Sequence, residues 1–443
     1  MLRVSVLLTL LVGTGGAATP NVVIFYADDM GIGDAGSYGC ADIATPQIDA
    51  LARRGIRFTN YYSAAPLCSP SRAALMTGRY PARAGVPSNV NSLMNRPGMP
   101  AAEFTVGECA KSAGYVTGLV GKWHLGSDHA TQANSQGFDY FYGYHACIDY
   151  WSHFFYYDPN SPHYHDLFRN REEVFEDGAF FTDLLVREAV AFIDDHRNKP
   201  FLLYVPFHEP HYPMHAPRRF AERYRDLPYE RREYAALVAS LDESIGRIMR
   251  RLEQHKLVEN TLVIFSSDNG PSAEIRANGS GGNTGLHRGH KFSLLEGGIH
   301  MPAIVSWPGR LPENQVRDQL VMATDVLPTV AEAVGATLPS DLKLDGMSWL
   351  PLLKNAAAPG HEILFWEWHQ QHAVRQGQWK VMRNAIVTHP MGKQERMQGD
   401  DAVFLVDLEV DPGESRNLYP QHREVADRLL KLHDAWHRDV FMD

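Results

Sequence analysis

Ala65-Pro66-Leu67-Cys68-Ser69-Pro70-Ser71-Arg72-Ala73-Ala74-Leu75-Met76-Thr77-Gly78 reads as a loop that turns into a short helix. Pro66 and Pro70 hold the backbone extended, Ser71 to Met76 carry helix-forming residues, and Gly78 closes the turn. This places Cys68 just ahead of a helix N-terminus, where free N–H groups and the helix dipole favour an anion. Arg72, four residues on, can fold back toward it. An isolated free cysteine is usually a small core residue, so the weight of this stretch depends on what surrounds it.

Two apolar runs end in oxygen donors. Asn21-Val22-Val23-Ile24-Phe25-Tyr26-Ala27 has the continuous, β-branched character of a strand buried on both faces, and it ends in Asp28-Asp29. Two adjacent carboxylates at the end of a buried strand repel each other and lose solvation, so a positive partner is expected. Thr261-Leu262-Val263-Ile264-Phe265-Ser266-Ser267 repeats the pattern and ends in Asp268-Asn269. Such ends converge at the carboxyl edge of an α/β sheet, where these folds place their sites. Asp28, Asp29, Asp268 and Asn269 are hard oxygen donors and no Cys/His spacing for zinc is present, so calcium fits better than magnesium.

Further stretches fill out the order. Pro46 to Arg54 is a short helix with Thr45 as N-cap and Gly55 as stop, and Ile56 to Tyr62 is a strand. Thr105-Val106-Gly107-Glu108 is a capping-box pattern for a helix ending at Gly114. Lys122 and His124 close the next strand, and residues i and i+2 of a strand share a face. Phe201 to Phe207 is another buried strand, followed by His208-Glu209-Pro210-His211-Tyr212-Pro213. Tyr229 to His255 has the longest helical periodicity. From Gln136 to Tyr164 the chain is rich in aromatics and histidines, among them Trp151, His153, Phe155, Tyr156 and His163; packing under a long loop and a sugar-binding rim are both open readings. Ser280 to Gly289 is Gly-rich and expected to be mobile, without the leading strand that a phosphate loop needs.

Cys68-x-Pro70-x-Arg72 followed by Leu75-Met76 and Thr77-Gly78 resembles the first signature of the type I sulfatases, closest to the arylsulfatase A and N-acetylgalactosamine-6-sulfatase branch. Gly114 to Gly126, with Lys122 and His124, resembles the second. His211 before Tyr212-Pro213, Lys291 five residues before Glu296-Gly297-Gly298, and Asp407-Leu408 followed by Asp411 to Glu414 and Asn417-Leu418 match further family segments. His300 stands where relatives often carry arginine. The resemblance runs from about Asn21 to Leu418.

The resemblance implies an alkaline-phosphatase-like α/β sandwich, with a large mostly parallel mixed sheet between helices and a small C-terminal domain with an antiparallel sheet. It implies that a formylglycine-generating enzyme oxidises Cys68 to formylglycine. It further implies calcium held by Asp28, Asp29, Asp268, Asn269 and the modified Cys68 oxygen. Lys122, His211 and Lys291 contact the sulfate, and His211 is a donor to the leaving alcohol. His124 takes a proton from the modified residue, a role suited to a pKa near working pH; Arg72 completes the catalytic set. His208 is the weaker histidine, and His215 has a plain loop reading. The aldehyde has a chemical reason: its hydrate carries two hydroxyls on one carbon, one to attack sulfur and one whose deprotonation expels sulfate by C–O cleavage.

The bulk numbers agree. The 443 residues are 44% hydrophobic and 21% charged, with Lys+Arg 42 against Asp+Glu 52, a net charge of -10. That balance argues against nucleic acid and an anionic membrane surface as partners, but not against a small anion bound by local charge. Cys40, Cys109 and Cys147 leave room for at most one disulfide beside Cys68. Met1 to Ala18 has the basic start, apolar stretch and small residues of a secretory signal, so a secreted or periplasmic protein is expected. The expected division is residues 1–18 signal, 19–350 catalytic and 351–443 antiparallel-sheet domain. A phosphonate monoester hydrolase or phosphodiesterase on the same fold, and an inactive sulfated-glycan binding protein, are the rival readings. Oligomeric state has no signature in the sequence.

Overall fold

A computed structural model describes residues 19–155 and 163–441. The signal expected at 1–18, and Tyr156, lie outside the described residues. An eleven-stranded mixed sheet forms the centre. Its strands are β1 (Asn21–Ala27), β2 (Ile56–Tyr62), β3 (Val116–Lys122), β4 (Tyr140–Tyr144), β7 (Phe168–Arg169), β8 (Glu172–Glu173), β9 (Phe201–Pro206), β10 (Thr261–Ser267), β11 (His300–Ser306), β12 (Gln315–Arg317) and β13 (Val321–Met322). The hairpin β5 (Phe154–Phe155) and β6 (Tyr164–His165) lies apart. The sheet order is β12-β2-β11-β10-β1-β9-β3-β4-β7-β8, with β13 beside β2. From β10 to β4 all neighbours are parallel, so the carboxyl ends of β10, β1, β9 and β3 emerge at one edge.

The continuous apolar character of β1 has its expected meaning. Val23 and Phe25 enter the core that α1 (Pro46–Arg53), α4 (Phe181–His196) and α5 (Tyr229–Gln254) cover. Val22, Ile24 and Tyr26 enter the opposite core, under α2 (Cys68–Thr77), α3 (Val106–Ser112) and α6 (Val326–Val334). A strand buried on both faces needs apolar residues at every position.

Local expectations meet three corrections. The helix in the opening stretch starts at Cys68 itself, so Pro70 sits in its first turn, where its missing N–H leaves no helical bond unmade. Gly78 closes it in the left-handed region at φ 68°. Gly55 is not in that region; a Cβ there would lie 2.2 Å from the Val305 carbonyl oxygen, so close approach of β11 demands it. Thr45 makes no side-chain cap to α1; Asp242 of α5 accepts from the N–H groups of Gln47 and Ile48 instead. The capping box at Thr105 and Glu108 is present.

Toward the C-terminus, β14 (Ile363–Trp368), β15 (Gln371–Gln376), β16 (Trp379–Arg383) and β19 (Val403–Asp407) form an antiparallel sheet covered by α7 (Arg423–Phe441); β17 (Ile386–Thr388) and β18 (Gln394–Arg396) pair separately. Lys380 of β16 reaches back to Glu296, ahead of β11, at 2.8 Å. Among the described residues no helix is long and apolar enough to cross a membrane. All four cysteines are free thiols.

Candidate active site

Parallel register decides the site. Ala27 lies beside Ser267, so Asp28-Asp29 and Asp268-Asn269 leave the sheet side by side. The Asp29 N–H donates to Asp268 Oδ1 at 3.1 Å, and Asn269 Nδ2 donates to Asp29 Oδ1 at 2.7 Å. At the end of β3, Lys122 Nζ donates to Asp28 Oδ2 at 2.6 Å. Cys68, first residue of α2, places Sγ 3.5 Å from Asp28 Oδ1. Lys291 Nζ lies 3.3 Å from that sulfur and 2.7 Å from Asp29 Oδ1. His211 Nδ1 bonds the Tyr212 carbonyl at 2.7 Å, turning Nε2 toward Asp29 Oδ2 at 3.7 Å. Every one of these side chains is buried.

Two residues reach the site differently from expectation. Arg72 bonds the carboxylates, not Cys68: its guanidinium lies 2.7 Å from Asp268 Oδ2 and 3.4 Å from Asp28 Oδ2, tying the two strand ends together. His124 does not share the face of a strand with Lys122. β3 ends at Lys122, and His124 follows in the left-handed region at φ 54°, its N–H donating to the His145 carbonyl. That turn still aims the ring into the cavity, where neither nitrogen has a hydrogen-bond partner. His208 is held behind the site by the Tyr144 hydroxyl at 2.5 Å, and His215 pairs with Asp149 on the loop.

The family model described as sulfatase matches residues 20–336. The chain belongs to the sulfatase family. A second model, the C-terminal region of N-sulphoglucosamine sulphohydrolase, matches residues 286–437. N-acetylgalactosamine-6-sulfatase of Canis lupus familiaris is 37% identical over 83% of this chain and 72% of its own length. Arylsulfatase A of Homo sapiens is 34% identical over 94% and 86%. Among solved structures, Ps i-CgsB in complex with k-i-k-neocarrahexaose superposes with a TM-score of 0.83 at 29% identity, covering 94% of this chain and 92% of that one. The PsFucS1 sulfatase from Pseudoalteromonas sp. gives 0.82 at 26%, covering 95% and 91%.

In this sulfatase the cavity above Cys68 measures about 360 Å³. His124, His211 and Lys291 share its lining with groups the motifs did not disclose: Asn89, Cys147 and Arg276. Asn89 carries no signature, yet its Oδ1 accepts from the Ser69 N–H at 3.0 Å and anchors the start of α2. Arg276 lies over the Tyr212 ring at 4.6 Å and marks the rim as cationic. Of the aromatic stretch, Phe155 reaches the cavity, whereas Trp151 packs on Phe180 and bonds the His215 carbonyl. Ser280 to Gly289 is tied down by Asn283, whose N–H donates to Asp34 and whose carbonyl accepts from Gly33.

Electrostatics set the protonation states. Burial opposes the charge on Asp28, but Lys122, His211 and Arg72 outweigh it and hold the carboxyl well below its usual range. Burial raises Asp29, and raises Asp268, with repulsion from Asp28, to about 7. Burial, with the fields of Lys122 and Arg72, drives His124 well below the usual histidine range, so the ring is neutral with a bare nitrogen but a weaker base than the near-neutral histidine the sequence leads one to expect. Burial also lifts the Cys68 thiol well above its usual value in spite of Lys122 and Lys291, which leaves it protonated and a poor nucleophile.

The residues present fit a metal. Asp28, Asp29, Cys68 and His211 bring ligand atoms within 4.8 Å of one another. The Oδ1 of Asn269 is buried with no hydrogen-bond partner, an acceptor in want of a cation. Carboxylate and amide oxygens are the donor set of a hard ion. Asp268 adds its carboxylate beside them, its oxygens also accepting from Arg72 and the Asp29 N–H.

Proposed function

We propose that this sulfatase hydrolyses a sulfate monoester on a carbohydrate, using a formylglycine made from Cys68 and a calcium ion held by Asp28, Asp29, Asp268 and Asn269. The observation that supports it most is the meeting of one sulfur with three carboxylates and three cations at the ends of β1, β10 and β3. A buried, protonated thiol is a poor nucleophile among these charges, which supports its conversion to another one.

Bound calcium supplies polarisation of the sulfate oxygens and charge stabilisation of the attacking oxygen. The chain does the rest. Lys122 and Lys291 flank position 68 and hold the sulfate by charge. His211, whose Nδ1–H donates to the Tyr212 carbonyl, turns Nε2 toward the sulfate, and it protonates the leaving alcohol only from the doubly protonated ring. His124, neutral and unpartnered, accepts the proton whose removal lets sulfate depart by C–O cleavage. Arg72 keeps Asp28 and Asp268 in place. A formylglycine-generating enzyme in a secretory or periplasmic route is the partner this chemistry requires.

The carbohydrate reading is supported by the relatives named for N-acetylgalactosamine-6-sulfatase and by the neocarrahexaose complex. Phosphonate monoester hydrolase of Agrobacterium radiobacter shares the fold at 20% identity, which bears on fold alone. The test is turnover of aryl sulfate against aryl phosphate, together with mass spectrometry of the Cys68 peptide from the native host. Faster phosphate cleavage, or an unmodified thiol in active enzyme, overturns the proposal.

A further inference from the structure

Outside the sulfate pocket, three lone-pair atoms face one another. His153 is fully buried; its Nε2 lies 3.1 Å from the Ala179 carbonyl oxygen. A carbonyl only accepts, so Nε2 carries the proton and Nδ1 is bare. His165 is 7% exposed, and its Nδ1 lies 3.1 Å from Glu173 Oε1, which by the same logic leaves Nε2 bare. Both bare nitrogens are buried without a hydrogen-bond partner. Both point at Asp177 Oδ1, from 3.8 Å and 3.5 Å.

Three acceptors without a donor repel unless a cation lies between them. The spacing also fits a metal. Ligands ~2.0–2.1 Å from a tetrahedral zinc lie roughly 3.4 Å apart, longer than the ~2.9 Å of a hydrogen bond. The outer nitrogen of each ring is fixed by a carbonyl or a carboxylate, the orientation that metal-binding histidines receive.

We propose that His153 Nδ1, His165 Nε2 and Asp177 Oδ1 form a binding site for a divalent cation of the zinc class, separate from the sulfate pocket. Imidazole with one carboxylate suits such an ion, whereas the all-oxygen set at Asp28 suits a hard one. Half-exposed Asp177 opens the site to solvent. The ion joins three segments: the turn before β5, strand β6 and the loop leading to α4. β5 carries Phe155, which walls the sulfate cavity, and pairs with β6 through Phe154 opposite His165. The ion therefore braces that wall.

The test is cobalt titration of the metal-stripped full chain, with calcium in excess to fill the oxygen-rich pocket. The expected result is one cobalt per chain with the intense visible bands of a tetrahedral site, displaced by zinc. Asp177→Asn, at an exposed position, should fold normally by circular dichroism and bind cobalt at least 10-fold more weakly. His165→Gln should abolish the bands. Absence of tetrahedral bands in the unsubstituted chain, or equal cobalt affinity in a folded Asp177→Asn variant, overturns the proposal.

Discussion

Replacing Lys380 by Met tests how the C-terminal sheet supports the segment from Lys291 to Glu296. Lys380 Nζ lies 2.8 Å from Glu296 Oε1 and 2.9 Å from Glu414 Oε1, with all three side chains buried. Glu414 Oε2 also accepts from the Glu296 N–H at 2.7 Å. Removing the ammonium leaves two carboxylates facing each other in the interior. Breaking a buried ion pair costs about 3–5 kcal/mol. Acid relieves the loss. Burial raises Glu414 to about 7, against an ordinary value of 4.5, while Lys380 and His300 outweigh burial at Glu296 and hold it well below. A raised carboxyl contributes stability that is fully present below the unfolded value and disappears as pH climbs through the folded one. At pH 5 Glu414 is therefore already protonated in both chains and can donate to Glu296. Only the Glu296 charge then lacks its ammonium partner, with His300 at 3.0 Å and Arg375 at 3.9 Å still beside it. Urea unfolding of Lys380→Met should show a loss of about 3–5 kcal/mol at pH 8 and about 1–3 kcal/mol at pH 5, the cost of one broken charged hydrogen bond. A loss under about 1 kcal/mol at pH 8, or the same loss at both pH values, would refute the reasoning.

Three other outcomes are expected. His124→Ala should lower turnover by about 10²–10⁴-fold and accumulate a sulfated form of residue 68, read by intact mass; a drop below tenfold removes His124 from the proton transfer. Calcium should stabilise the unsubstituted chain by about 2.7 kcal/mol at a hundred times its Kd, and the thermal shift should shrink at the same concentration in Asp29→Asn; equal shifts would place the ion elsewhere. Phe155→Ala should raise KM for a sulfated oligosaccharide more than for an aryl sulfate, because Phe155 lines the cavity with apolar surface rather than a group that acts on sulfate; equal changes would make it a folding residue only.

Much of the site was legible because the chemistry sits at strand ends. A buried strand announces itself by an unbroken apolar run, and the polar residues that follow must be at its end, so Asp28, Asp29, Asp268 and Asn269 could be placed without coordinates. His124 was identified by motif but misplaced by geometry: i+2 spacing holds only while the strand continues, and β3 stops two residues short. Helical spacing draws Arg72 toward Cys68, whereas the carboxylates across the sheet end attract it more strongly. Asn89 and Arg276 had no pattern to betray them, because loops set their positions and each is defined only by what it meets. The histidines of the aromatic stretch were visible as composition; their convergence on Asp177 depends on a hairpin and a loop that no local periodicity encodes.

Under the proposed function, charge arithmetic ties the binding of the cation to that of the substrate. Asp28, Asp29 and Asp268 face Arg72, Lys122 and Lys291, three against three, and each lysine rests on a carboxylate. In that arrangement the lysines are engaged by the aspartates, and as pH rises through about 7 and Asp268 ionises, the site loses surplus positive charge for an anion. A divalent ion on the carboxylates changes both facts: it adds two positive charges and competes with the ammonium groups for the same oxygens. Lys122 and Lys291 then have an uncompensated charge in a low-dielectric cavity, next to position 68, which is favourable only with an anion to receive it. Metal binding and sulfate binding are thus coupled through two side chains. The coupling requires that sulfate bind more weakly after chelation, and that Lys122→Met and Lys291→Met each reduce the difference between the metal-loaded and metal-free protein. Sulfate affinity that ignores the metal would leave the lysines as structural partners of Asp28 and Asp29 alone.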